Sequence, residues 1–244
     1  MEKIILLITA VFVFMSCDTA RHLGSEGTYK TATEIINDQP PITQSLFSDK
    51  NASISEENIQ KILDVSYKLP EKLRIAIVNL ESKQYQQRYS FWWRNEDYLK
   101  NKQSYLELFT EKFKNFHHVT NVSVIPDLLI SNNPTFVNIR ESAVRTQADL
   151  VAIYSITSEI YTKSRLFASN ILKAFATTEF IILDVRTGLI PFSTIIRKDY
   201  QSNVQKADFD GEEAKNRVKH EAVLLTINEI GEQLTKFLET TNIK

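Results

Sequence analysis

The stretch Ala174–Arg197, AFATTEFIILDVRTGLIPFSTIIR, decides how the chain is read. Phe180, Ile181, Ile182 and Leu183 are apolar at both parities, which predicts a strand covered on both faces. Asp184-Val185-Arg186-Thr187-Gly188 follows as a polar turn, closed by the only glycine between Gly27 and Gly211. Without a Cβ, Gly188 is free to take a positive φ there. Leu189, Ile190, Phe192, Ile195 and Ile196 make a second apolar run. Two such runs around a glycine turn predict a β-hairpin, expected at the centre of a sheet. An aspartate at a hairpin corner serves the turn backbone, so Asp184, Thr187 and Gly188 are read as structural turn residues, not catalytic ones.

Working outward, Asp149–Thr157 (DLVAIYSIT) is a second near-continuous apolar strand, followed at Ser158–Lys163 by a less regular stretch. Leu73–Leu80 is a third strand, apolar at every odd position up to the final Asn79. Ser53 and Glu56 fit a capping box ahead of Ile59, Ile62 and Leu63, and Pro70 stops that helix. Tyr98, Leu99, Lys102, Tyr105, Leu106, Phe109 and Phe113 set a helical stripe over 95–115. Val122–Ile125 is a short strand ended by Pro126. Pro134-Thr135 opens a helix lined by Phe136, Ile139, Ala143 and Val144. Tyr200–Asp208 reads as a polar loop. A long helix then starts at Asp210, its face of Ala214, Val218, Ala222, Leu225, Ile230, Leu234, Phe237 and Leu238 expected to cover the sheet. The order predicts an α/β (α+β) fold: a mixed β-sheet with helices packed on both faces and a long C-terminal amphipathic helix.

Several functions are excluded at this level. Net charge is −1, so no overall field favours nucleic acid or an anionic membrane surface. The 160 residues between Gly27 and Gly188 hold no glycine, which rules out a Walker loop or a Rossmann GxGxxG there. Serines occur outside any GxSxG or SxxK pattern, so a serine hydrolase has no anchor. His117-His118 is the only histidine pair, and adjacent residues point apart on a strand or a helix, so a metal site is not expected. Glu212 and Glu213 are helix N-terminal acids. The reading is of a non-enzyme with no catalytic residue, no metal and no cofactor.

The N-terminus says where the chain goes. Ile4–Phe14 is a mostly apolar run, too short for a resident membrane helix but right for a signal-peptide core. Met15-Ser16-Cys17 follows, and Cys17 is the only cysteine of the chain. The stretch resembles a bacterial lipoprotein signal, in which cleavage precedes a cysteine that then carries lipid. The expected organisation is 1–16 as signal peptide, 17–52 as the lipidated Cys17 and a flexible tether rich in Thr, Ser, Asp, Asn and Gln, and 53–244 as one globular domain. A short helical turn is expected near Ala32–Ile36. An ordinary secretory signal with a chance cysteine is the alternative.

The runs ADLVAIYSIT (148–157) and TTEFIILDVRTGLIPF (177–192), with the long final helix, look like the CsgG-like periplasmic α/β lipoproteins. Those include the curli secretion channel and activators of cell-wall synthases. Asp149 matches the residue before the first strand, Asp184, Thr187 and Gly188 match the turn, and Cys17 matches the lipid-carrying cysteine. Arg186 and Pro191 around the turn depart from the pattern. The resemblance implies a non-enzymatic envelope protein, lipid-anchored and expected at the outer membrane, working through contacts with envelope proteins or in a homo-oligomer. A ring-forming secretion channel is one alternative, although 81–94 and 158–173 are short and alternate poorly for bilayer-spanning strands. A lipid-anchored enzyme without a recognisable motif is the other.

One feature invites a binding role. In Tyr85–Arg94, YQQRYSFWWR, Tyr89, Phe91 and Trp93 share one parity, and Arg88, Ser90 and Trp92 the other. As a strand this places Trp93 in the core and Trp92 outside, so Trp92 with Arg88 and Arg94 is the expected partner-binding surface. Both rings packed in the core is the bland reading.

Overall fold

The computed structural model of the chain describes residues 36–37, 46–47, 54–81, 96–130 and 133–241. Cys17, Arg88, Trp92, Trp93 and Arg94 lie outside them. Six strands form one sheet: β1 Ile36–Asn37, β2 Leu73–Asn79, β3 Val119–Val124, β4 Leu150–Lys163, β5 Ile171–Asp184 and β6 Phe192–Asn203. Four helices accompany them among the described residues: α1 Glu56–Leu63, α2 Glu96–Lys114, α3 Phe136–Arg145 and α4 Gly211–Thr240. The strand order is β3-β2-β4-β5-β6, with β2 parallel to both neighbours and the rest an antiparallel meander. The sheet is mixed and the class is α/β.

The hairpin around Gly188 is therefore not central. β6 is an edge and β5 its only inner neighbour, while β4 occupies the middle. The reason is legible in β6 itself, whose side chains alternate between half-buried and exposed along its whole length. All three strands of the meander are also longer than the apolar runs suggest. β4 and β5 pair over 14 residues each, from Leu150 opposite Asp184 to Lys163 opposite Ile171. The stretch 158–163, expected to be irregular, continues β4, and Tyr200–Asn203, expected in a loop, completes β6.

Parity explains what each face buries. Even-numbered residues of β4 and β5, including Tyr154, Ile160, Leu172, Ala174, Ala176 and Phe180, lie under α2 and α4 in the larger core. Phe109 of α2 stacks between Tyr154 and Phe180, with ring centroids 4.7 and 5.3 Å away. The odd face has a smaller core in which Val151, Ile153, Leu183 and Val185, with Ala76 and Val78 of β2, meet Ile139 and Ala143 of α3. Val144 of α3, expected on that side, is exposed.

α4 corrects a second expectation. Its buried face steps by fours through Ala214, Val218, Ala222, Thr226, Ile230, Leu234 and Leu238. Four residues turn a helix by about 40° more than a full circle, so this stripe winds around α4 as the sheet twists beneath it. By mid-helix the stripe has rotated away from Leu225, which is exposed, and Thr226 faces the sheet instead. α4 begins where the sequence indicates: Asp210 accepts from the Glu212 and Glu213 amides, both at 2.8 Å.

Nearer the N-terminus, α1 has Ser55 at its N-cap position with no side-chain capping bond, Ser53 lies outside the described residues, and the helix buries none of its residues. Two pieces of the stretch expected as tether belong to the folded unit. Ile36–Asn37 pairs with Glu159 and Ile160 as β1, so Ile36 is extended and not helical. Leu46 accepts from the Phe136 amide through its carbonyl and packs on the smaller core, with the Phe47 ring stacked on Phe136. β2 ends before this part of β4, which leaves a free β4 edge for β1 to pair with.

Candidate functional site

The Asp184–Gly188 corner works as a structural joint. Asp184 Oδ1 accepts from the Arg186 and Thr187 amides at 2.9 and 2.8 Å, and Tyr67 donates its hydroxyl to Oδ2 at 3.0 Å. Gly188 has φ +75°, and a Cβ there would stand 3.3 Å from the Phe136 ring. Arg140 of α3 donates to the carbonyls of Val185 and Arg186, tying helix to turn. Beside it, Asp149 accepts two hydrogen bonds from the Arg74 guanidinium, both at 2.9 Å, and one from the Arg74 amide at 3.1 Å. These bonds hold the Asp149 carboxyl below the usual carboxylate range against the opposing effect of its burial. Each acid here is fully committed to fixing strand ends.

His117 and His118 share a turn in which adjacent side chains need not diverge, and their ring centroids are 3.6 Å apart, not on opposite sides as a strand or helix would put them. They border a cavity of about 350 Å³ with Leu69, Leu73, Phe116 and Leu238. Among the described residues no group of three or more His, Cys, Asp or Glu could hold a metal ion.

The surface with most to offer a partner is the odd face of the meander beyond α3. Helix α3 covers this face only near Val151, Ile153, Leu183 and Val185. Farther along, Thr157, Glu159 and Tyr161 of β4 and Lys173, Phe175 and Thr177 of β5 are half-exposed, alternating with buried neighbours up to Tyr161. Phe175 lies at its centre. Tyr161 meets it edge-on at 5.5 Å, Lys173 Nζ stands 4.7 Å from the ring centroid and the Arg197 guanidinium 5.2 Å. Lys173 pairs with Asp199 at 3.1 Å and Arg197 with Glu159 at 3.9 Å, so the aromatic pair is framed by both signs of charge. The outer edge of β6 continues this surface, with backbone groups that no further strand of the sheet takes up among the described residues. Aromatic area, paired ions and an open edge suit protein contact.

Sequence reasoning singles out none of Tyr161, Phe175 or Arg197. The available signal is the change of period: continuous apolar residues over 150–154 give way to alternation from Ser155 onward. Leu172, Ala174 and Ala176 mirror it on β5.

No protein-family model matches the chain, and a search of curated proteins finds no match. Solved structures give distant likenesses. A Helicobacter pylori protein provisionally assigned as a neuraminyllactose-binding hemagglutinin homolog has a TM-score of 0.42 at 13% identity, over 72% of this chain and 91% of that one. A provisionally assigned lipoprotein from Caulobacter crescentus has a TM-score of 0.37 at 11% identity, over 68% and 90%. Lipoprotein GNA1162 from Neisseria meningitidis has a TM-score of 0.28 at 10% identity, over 66% and 99%.

Proposed function

We propose that this chain is a lipid-anchored protein of the bacterial cell envelope, held at the outer membrane through Cys17, that acts by binding other envelope proteins and not by catalysis. The observation that carries the reading is the sole cysteine, placed directly after the small Ser16 at the end of an apolar run of signal-peptide length. The half-bare sheet face around Phe175 supports it as a place for a protein to dock, because it joins aromatic area to a framed set of ions. The match of Asp149, Asp184, Thr187 and Gly188 to the CsgG-like lipoproteins supports the same class of role. Trp92, with Arg88 and Arg94, is the second contact surface of this reading.

Two measurements test it. Metabolic labelling with an alkyne palmitate analogue should mark the chain and vanish on Cys17→Ser; labelling that survives the substitution removes the anchor. A photo-crosslinking residue placed at Phe175 should capture a defined envelope protein or a second copy, whereas one at Asn228, on the exposed side of α4, should not. Equal capture from both positions would mean that the sheet face is not a specific surface.

A further inference from the structure

The end of the molecule where β4 turns into β5 carries apolar side chains that the fold does not use. Residues 164–170 join Lys163 to Ile171, and within them Leu166 and Phe167 are 94% and 101% exposed. The loop is held closed, with the Arg165 amide donating to Asn170 Oδ1 at 3.1 Å. The β6–α4 connection runs beside it, since the Val204 amide donates to the Asn170 carbonyl at 3.0 Å. That second connection presents Phe209, 93% exposed. Two neighbouring loops therefore project three large apolar side chains from one end.

The charges at this end are sorted. Two of its acids are ion-paired, Asp208 with Arg217 at 2.8 Å and Glu212 with Lys215 at 2.7 Å, while Asp210 caps α4 and Glu213 accepts from the Phe209 amide, both keeping their negative charge. Lys163, Arg165 and Lys206 have no ion pair among the described residues and face water. An outside partner thus meets apolar tips carried on loops with three exposed cations, against two carboxylates turned to backbone amides.

We propose that this end docks on an anionic phospholipid surface, with Leu166, Phe167 and Phe209 at the acyl boundary and Lys163, Arg165 and Lys206 among the headgroup phosphates. Shallow insertion of apolar loop residues together with basic attraction is how proteins lie on, without crossing, a charged bilayer. Separate projecting tips fit a fluid interface better than a preformed groove. The docking goes beyond the anchor, since it needs no lipid on Cys17.

The test uses the chain from residue 17 onward, without the apolar signal run, carrying Cys17→Ser, which removes the covalent lipid, and Phe167→Cys, which supplies one thiol for an environment-sensitive dye. Vesicles containing phosphatidylglycerol should shift the dye emission to the blue, and pure phosphatidylcholine vesicles should not. Lys163→Ala/Arg165→Ala/Lys206→Ala should abolish the shift, and about 0.5 M salt should weaken it. Without the dye, Leu166→Ser/Phe167→Ser should reduce cosedimentation with the anionic vesicles at least about tenfold while leaving the melting curve unchanged. Unchanged emission with anionic vesicles, or an equal shift with neutral ones, overturns the proposal. A shift that appears on raising protein concentration without lipid assigns the tip to a second copy and overturns it too. Failure here leaves the palmitate labelling of Cys17 unaffected, so the two readings fall separately.

Discussion

The hydroxyl of Thr178 on β5 lies 2.6 Å from that of Thr226 on α4, and both side chains are fully buried. Thr226 donates its proton to the Val223 carbonyl at 2.7 Å, so Thr178 is the donor between the two. Thr226→Val would strand a buried donor and should cost about 1–3 kcal/mol. Thr178→Val/Thr226→Val should restore much of that, because no donor is then left unpaired. Urea midpoints of the single and double variants decide it; a double variant as unstable as the sum of two costly singles would show that packing, not the hydrogen bond, matters there.

The winding of the buried stripe along α4 predicts opposite fates for two leucines. Leu234 is fully buried and Leu234→Ala should cost about 2–5 kcal/mol. Leu225 is exposed, and Leu225→Ala should stay within about 0.5 kcal/mol. Equal losses in thermal denaturation would mean that α4 sits in another rotation.

Acid should weaken the joint at Asp149. Its folded pKa is depressed, chiefly by the Arg74 side-chain hydrogen bonds, so ionisation favours the folded state above the ordinary Asp value of about 4. That contribution fades as pH falls through the lower folded value. Arg74 is 42% exposed and screened by water, so Asp149→Asn should cost only about 1–3 kcal/mol at neutral pH. The variant should also lose less stability than the parent as pH falls below the ordinary Asp value of about 4. Denaturant midpoints across that range test it, and parallel curves would rule the carboxylate out as a contributor.

Trp92 and Trp93 are expected to behave differently. Trp93→Ala should destabilise by about 3–5 kcal/mol, as loss of a buried aromatic does, while Trp92→Ala should barely move the melting temperature. Trp92→Ala should instead weaken crosslinking to envelope partners. Large and equal destabilisation would put both rings in the core.

How legible an element is depends on how many of its faces are buried. Phe180–Leu183 and Leu150–Tyr154 lie in strands flanked by both cores, and an unbroken apolar run announces that. The extensions of the same strands bury one face only. On β5 that face is built from Leu172 and the small Ala174 and Ala176, between which stands the large apolar Phe175, so the alternation is faint. Val119 and Thr120 escape notice for a similar reason, lying in a polar edge strand. A straight helical period misplaces Leu225 because it ignores the twist of the sheet below. The exposed tip at Leu166 and Phe167 has no periodic signature at all; only the surrounding fold reveals that nothing covers it among the described residues.

The sheet's connectivity also sets an order of assembly. β4, β5 and β6 are joined by short connections and pair with their neighbours in sequence, whereas β2 must find β4 across a long intervening stretch, Ile75 opposing Leu150. Closing that long loop carries an entropic cost that the meander avoids. The meander is therefore expected to gain amide protection before β2 and β3 during refolding, a sequence that pulsed hydrogen exchange can read and that simultaneous protection would contradict. An exported chain threading from its N-terminus would then have to hold β2 unpaired until the middle of the sheet emerges.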